Sequence, residues 1–241
     1  MKGASSGTDA AFDALAERFT AWTETAHPKR YEELLGDAVP PGVERALDVG
    51  CGAGGLTRWL ATRARHVTGL DVSPAMLDIA RRRRDAAGLP NAHFVLGDAM
   101  EPPFGPGSFD LVASDASIHD TDLARTLPAL RRLAAPGGLL LLRDVVTADR
   151  ARERSLVHQL AGVVGRIPGY LRRLGPVATA RVLRFEASPT WLRHRVAGEA
   201  LTPAEFTRAY SEHLPGCRIT RQGWSMLAAW QAPASPAERE R

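Results

Sequence analysis

Lysine is almost missing from this basic chain. Lys2 and Lys29 are the only two in 241 residues, although lysine and arginine together number 31. The formal charge of +4 and the isoelectric point near 9.6 are therefore the work of arginine. Those arginines are spread along the chain, apart from Arg81-Arg82-Arg83-Arg84. That run closes a predicted helix, where cations meet the negative end of the dipole, and it reads as a solvated face. The basic charge is thus no argument for a nucleic-acid partner. Cysteine is equally scarce: Cys51 and Cys217 cannot build a disulfide framework, and alone they cannot fill a zinc site. No apolar run approaches the roughly 20 residues of a membrane span, and residues 1–11 lack the core of a secretory signal. These absences point to a cytoplasmic globular protein, long enough to bury a substantial core.

What the chain does have is one organising stretch: Ala46-Leu47-Asp48-Val49-Gly50-Cys51-Gly52-Ala53-Gly54-Gly55. An apolar run with an acid enters a glycine cluster, and residues 56–64 beyond it read as a helix. A strand that turns through glycines into a helix suits a nucleotide-like ligand. The glycines let the backbone come close, and the helix start offers free N–H groups and a positive dipole end.

Around this stretch the chain alternates. Phe12, Leu15, Phe19 and Trp22, then Tyr31, Leu34 and Leu35, recur at helical spacing and predict two helices separated at His27-Pro28. Apolar strands are predicted at residues 45–49, 67–71, 93–96 and 109–114. Ser73-Pro74 opens a helix after the second, with the serine as its cap. Thr126 and Pro128 read as the cap and early turn of a helix reaching Ala134. Pro136-Gly137-Gly138 turns the chain into residues 139–146, the most continuously apolar run and so a buried central strand. Beyond Asp149 the pattern becomes helical and irregular, with breaks expected at Pro168-Gly169, Gly175-Pro176 and Ser188-Pro189. Thr202-Pro203-Ala204-Glu205 is a strong helix start. Strands at 217–221 and 224–231 then close the chain as a hairpin around Gln222-Gly223. The expectation is an α/β, Rossmann-like, doubly wound and mostly parallel seven-stranded sheet, with an antiparallel C-terminal hairpin and a helical lid insertion. Its parts are a helical cap (9–42), a cofactor-binding core (43–147), the lid (148–200) and a C-terminal helix with closing strands (201–232).

The glycine turn alone is ambiguous. Gly50, Gly52 and Gly55 fit the dinucleotide pattern G-x-G-x-x-G, with Asp71 at the spacing of a ribose-binding acid. Gly50, Gly52 and Gly54 equally fit the G-x-G-x-G turn of S-adenosylmethionine enzymes. Three features favour the second. Asp48 precedes the glycines, where a pyrophosphate would be repelled and a cationic amino group attracted. Asp98 in Gly97-Asp98-Ala99 ends the third strand, where an acid can accept from an adenine amino group. The chain also ends in strands instead of a second mononucleotide-binding half. A P-loop is excluded, since no Gly-Lys-Ser/Thr follows the glycines.

The chain resembles the class I S-adenosylmethionine-dependent methyltransferases, of the small bacterial type that includes ubiquinone/menaquinone-biosynthesis methyltransferases. The stretch Leu47 to Gly54 carries the resemblance, with Gly69-Leu70-Asp71-Val72-Ser73-Pro74-Ala75-Met76-Leu77, Gly97-Asp98-Ala99 followed by Phe104 and Ser108-Phe109-Asp110, and Leu133-Ala134-Ala135-Pro136-Gly137-Gly138. The resemblance implies S-adenosyl-L-methionine as cofactor. Gly50, Gly52 and Gly54 would admit its methionyl part, with Cys51 contributing backbone only. Asp71 would hold the ribose hydroxyls, Val72 and Met76 would flank the adenine, and Asp98 with Ala99 would meet its amino edge. Ser114 would line the methionyl pocket.

His119, in Asp115-Ala116-Ser117-Ile118-His119-Asp120, is the first candidate base, because its ordinary pKa near 6.5 suits proton removal near neutrality. His27, His158 and His194 are weaker candidates. No Asn/Asp-Pro-Pro-Tyr/Phe motif is present, which counts against methylation of DNA bases or glutamine. The aromatics Tyr170, Phe185 and Trp191, with Phe12, Phe19 and Trp22, would form a substrate lid. A small, partly apolar substrate and O-methylation are the leading expectation, set in bacterial secondary metabolism. An RNA-modifying methyltransferase is the first rival. The second is an enzyme of the same fold that uses the sulfonium charge for cyclisation or another non-methylating reaction.

Overall fold

The fold follows from a computed structural model, which describes residues 6–26, 30–197 and 200–234, without the side chains of 6–15, 30, 194 and 197. His27 lies outside the described residues, as do the side chains of Phe12, Leu15 and His194. One seven-stranded sheet organises the chain. Its strands are β1 (Val43–Val49), β2 (Ala64–Asp71), β3 (Ala92–Leu96), β4 (Phe109–Asp115), β5 (Ala134–Val145), β6 (Arg218–Gln222) and β7 (Ser225–Gln231). They lie in the order β3-β2-β1-β4-β5-β7-β6. The first five are mutually parallel, and β7 runs antiparallel to both β5 and β6. This is the expected doubly wound, mostly parallel sheet with its closing hairpin.

Alternation along the strands sorts the core into two layers. Leu47 and Val49 face one side with Leu127, Leu130, Phe206 and Trp230. Ala46 faces the other with Leu56, Leu60 and Leu35. The first layer is closed by helices α5 (Leu123–Leu133) and α9 (Pro203–His213), the second by α2 (Arg30–Leu35) and α3 (Gly55–Ala61). Helix α4 (Pro74–Ala87) carries α1 (Ser6–Ala26) on its outer side through Ala16, Met76 and Ile79. The arginine run lies within α4 and is matched within the chain: Arg81 pairs with Asp78, Arg82 with Glu17, Arg83 with Glu24 and Arg84 with Asp85.

Two local expectations are corrected. The cap of helix α5 lies four residues before Thr126, at Asp122, whose side chain accepts from Ala124 N at 3.0 Å. Thr126 is a buried interior residue bonded to the Asp122 carbonyl and the Thr121 hydroxyl, and Pro128 sits inside the helix. In the lid, short α6 (Arg150–Glu153) leads into α7 (Leu156–Glu186), which passes Pro168-Gly169 without ending. Its one break is a kink at Gly175, whose φ of 74° and ψ of 172° are not helical. Packing of Val163, Tyr170 and Val182 against the body carries the helix through the proline, whose cost is local. Helix α8 (Pro189–Ala197) follows, starting at the expected Ser188-Pro189 break.

Candidate active site

The strand order reverses between β1 and β4, and at such a switch point the loops leaving neighbouring strands part to open a crevice. A cavity of about 1260 Å³ lies there. Its floor is made of the C-terminal ends of the parallel strands: Val49 to Ala53, Leu70 to Ser73, Gly97 to Met100, Asp115 to Thr121 and Val145 to Thr147. Helices α1, α7 and α8 form the roof.

On one side of the floor the backbone does the positioning. Gly50 and Cys51 both donate to the Leu70 carbonyl, at 2.8 and 3.0 Å, which locks the turn to β2. Gly50 has a φ of 68°, and a Cβ there would stand 2.3 Å from the Ser117 hydroxyl, so only glycine fits. Asp71 is held by main-chain donors, Gly52 N at 2.7 Å to one oxygen and Ser73 N at 2.9 Å to the other. Its carboxylate thus stands at the strand end beside the turn. Val72 is half exposed over the cavity, and Met76 is buried in its wall. Asp98 accepts from Met100 N at 2.8 Å, with Ala99 beside it.

Across the floor, His119 sits in a single 3₁₀ turn (Ile118–Asp120) after β4. Its Nδ1 lies 2.6 Å from Oδ1 of Asp144, a buried residue near the end of β5. The same oxygen accepts from Val145 N at 2.9 Å. Burial opposes charge on the imidazole, yet the Asp144 carboxylate outweighs it and holds the pKa up at about 9. The pair fixes the tautomer: a proton on Nδ1 faces Asp144 and leaves Nε2, 3.7 Å from the Asp120 carboxylate, on the free side of the ring. Register places Asp115 opposite Arg143, and the two form a buried ion pair at 2.5 Å, with Gln222 on the arginine's Nε.

The roof is tied by side chains. Buried Glu186 accepts from Trp22 Nε1 at 3.1 Å, Tyr170 Oη at 2.8 Å and Arg166 Nη2 at 3.0 Å. Phe19, Trp22, Phe185 and Trp191 pack around it with ring centroids 4.9–6.2 Å apart. Glu24 bridges Arg58 of α3 and Arg83 of α4, both at 2.8 Å, and so fastens α1 across the glycine turn.

Most residues singled out in the sequence converge on this cavity: Gly50, Cys51, Gly52, Asp71, Val72, Met76, Asp98, Ala99 and His119 all line it. Three do not. Asp48 is buried beneath the turn with the Thr57 hydroxyl 2.7 Å from its carboxylate, and burial pushes its pKa up to about 7. Gly54 caps α3 with a φ of 76° and packs against Phe94 and Ala80, so its role is to let the helix close on the sheet. Ser114 is fully buried, bonded to the Val49 carbonyl and to Ser117, and it is Ser117 that reaches the wall. His158 is exposed on α7 and does not line the cavity. Asp144, Glu186 and Arg166 were missed. The first had a visible signal, a charged Arg143-Asp144 pair inside an otherwise apolar strand. Glu186 and Arg166 had none, because their partners are distant in sequence. Among the described residues no cluster of side chains suits a metal ion, and no helix is long and apolar enough to cross a membrane.

Residues 46–138 match the family model described as a methyltransferase domain. Over 173 residues the chain is 34% identical to an uncharacterized methyltransferase of Mycobacterium bovis, covering 72% of this chain and 65% of that protein. It is 37% identical over 119 residues to the malonyl-[acyl-carrier protein] O-methyltransferase of Serratia marcescens, covering 49% and 45%. The chain thus spans about half to two thirds of the length of these relatives. A SAM-dependent methyltransferase of Aquifex aeolicus superposes with a TM-score of 0.57 at 16% identity, over 88% of this chain and 97% of the other, which shows the shared fold. With the strand order, the glycine turn and these matches in agreement, the chain belongs to the class I S-adenosylmethionine-dependent methyltransferases.

Proposed function

We propose that this protein is a cytoplasmic enzyme that methylates a hydroxyl group of a small, partly apolar molecule, in bacterial secondary metabolism. The observation that carries the choice of oxygen is the His119–Asp144 pair on the cavity floor. S-adenosylmethionine, when bound, supplies an electrophilic methyl group on a sulfonium centre. The glycine turn suits it: a Cβ on Gly52 would meet no atom within 4 Å, so the backbone there is open to approach, and Asp71 stands beside it. Gly50, Cys51 and Gly52 would hold the methionyl part, Asp71 the ribose hydroxyls, Val72 and Met76 the adenine faces, and Asp98 with Ala99 its amino edge. Gly54 and Asp48 would act indirectly, through the shape and charge of the turn.

His119 then serves as the base. Its Nε2 accepts the proton of the substrate hydroxyl while that oxygen gains the methyl group, and Asp144 stabilises the imidazolium that results. A base with a pKa near 9 matches a phenolic or similarly acidic hydroxyl better than an alcohol. Alkylation of an uncharged amine or a carbon nucleophile makes less use of such a pair. The volume supports room for two ligands, since drug-sized pockets run to about 1,000 Å³ at most. The aromatic wall of Phe19, Trp22 and Trp191 favours an apolar substrate portion.

Calorimetric titration with S-adenosylhomocysteine, with NADH as control, tests the cofactor half; binding of NADH alone would overturn it. Incubation of hydroxylated aromatic acceptors with methyl-labelled cofactor tests the transfer. Label is expected on an ether oxygen. Conversion of an acceptor while the cofactor is recovered intact would show a non-methylating reaction instead.

A further inference from the structure

The outer face of the lid helix carries a pattern that the cleft does not use. Helix α7 turns Gln159, Val163, Arg166 and Tyr170 to the cavity, spaced four, three and four residues apart. Val157, Leu160, Val164 and Leu171, spaced three, four and seven apart, form a neighbouring stripe that stays in solvent. Val157 is 77% exposed and Val164 63%. With Leu156 and Val177 added, six of the nine large apolar side chains exposed among the described residues lie on this helix. Apolar exposure gathered in one place marks an interaction surface, whereas scattered exposure does not.

Charge says what kind. From residue 155 to 185 the chain carries Arg166, Arg172, Arg173, Arg181 and Arg184 and no aspartate or glutamate. Arg166 is committed to Glu186, and Arg173 to the Ala26 carbonyl. Arg172, Arg181 and Arg184 are exposed, with no ion pair among the described residues. An apolar stripe accompanied by uncompensated cations complements a surface that is anionic outside and apolar within. A second copy does not offer that, because a two-fold contact would set the same acid-free stretch against itself. The stripe also lacks the aromatic anchors that mark the centres of protein interfaces.

We propose that α7 is a peripheral membrane contact. The lid lies on an anionic lipid surface with Val157, Leu160, Val164 and Leu171 among the acyl chains and Arg172, on the same straight segment before the Gly175 kink, among the phosphates. The cavity face of the same helix then lies one helix width from the bilayer, so an amphiphilic substrate passes from lipid to cleft around the lid. That second statement rests on the proposed methyltransferase function; the membrane contact does not.

Sedimentation of the full chain with vesicles tests it. The chain is expected to pellet with vesicles of phosphatidylcholine and phosphatidylglycerol, not with phosphatidylcholine alone, and less as salt rises. The double variant Val157→Glu/Val164→Glu should weaken binding by at least about tenfold, and Arg172→Glu by about fivefold. Both should keep the wild-type Tm and S-adenosylhomocysteine affinity, which separates failure of the contact from failure of the cofactor reading. Should the double variant not fold, Arg172→Glu alone decides. Absence from the anionic pellet, or variants that pellet like the wild type, would overturn the proposal. So would a solution dimer that Val157→Glu/Val164→Glu dissolves.

Discussion

Along the floor of the cleft Asp71 is held by the backbone N–H groups of Gly52 and Ser73, whereas in the roof Glu186 is held by side chains of Trp22, Arg166 and Tyr170. The floor's bonds join chain segments that the sheet already sets side by side. Those of the roof reach as far as 164 residues along the chain, from Trp22 to Glu186. A floor built from main chain leaves little to vary, because changing a side chain does not move a strand end. A roof built from side chains can be reshaped one residue at a time. On the proposed function, recognition of the shared cofactor belongs to the floor and the choice of substrate to the roof. His119 stands at the seam, carried by the floor and open to the space beneath the roof.

The seam is where the largest effect is expected. His119→Ala should lower turnover by about 10²- to 10⁴-fold, while the S-adenosylhomocysteine dissociation constant stays near the wild-type value. Unchanged turnover would remove His119 as the base. Its pH dependence sharpens the test. With a folded pKa raised to about 9, His119 sheds its proton only as pH climbs toward that value, so kcat/KM should rise with pH up to about 9. The charged pair itself stabilises the fold fully below the ordinary histidine pKa, and that contribution is lost as pH rises through the folded value. In Asp144→Asn the carboxylate is gone, burial dominates, and the rising limb should move to lower pH. A limb that stays in place means another group titrates.

A smaller effect is expected from the floor alone. Asp71→Ala should weaken cofactor binding by about tenfold or more, the loss of a charge-assisted hydrogen bond or two. If the dissociation constant does not change, ribose recognition lies elsewhere. The smallest effect on cofactor binding belongs to the roof. Glu186→Ala takes away the acceptor of the buried Tyr170 Oη, at a cost of about 1–3 kcal/mol, together with the bond from Trp22 Nε1. A lower Tm and faster proteolysis near α7 should follow, with cofactor affinity intact. Loss of cofactor affinity in that variant would show that floor and roof are not separable.

The fold was legible because its signals are local. Alternating apolar strands and capped helices name a parallel sheet, and glycines at 50, 52 and 54 announce a tight turn wherever they occur. The cavity-lining set was legible for the same reason, since Asp71, Asp98 and His119 sit at the ends of strands that such a sheet must align. Local signals failed where two of them competed. Asp122 capped α5 ahead of Thr126, because its carboxylate reaches the free N–H of Ala124 first. Pro168 did not end α7, because tertiary packing outweighed its local cost.

Sequence by itself determined the order of elements, the glycine turn and the kind of ligand such a turn admits, because these depend on backbone geometry within a few residues. Only the tertiary structure decided which acids line the cavity and which lie beneath its wall. Asp48 stands next to the end of its strand and Asp71 at the end of the following one, yet one is buried under the turn against Thr57 and the other stands at the cavity. Only the tertiary structure joined His119 to Asp144 and closed the roof around Glu186. The reason is physical: a buried charge takes its meaning from the partner that neutralises it, and that partner is chosen by packing across the fold, not by position along the chain.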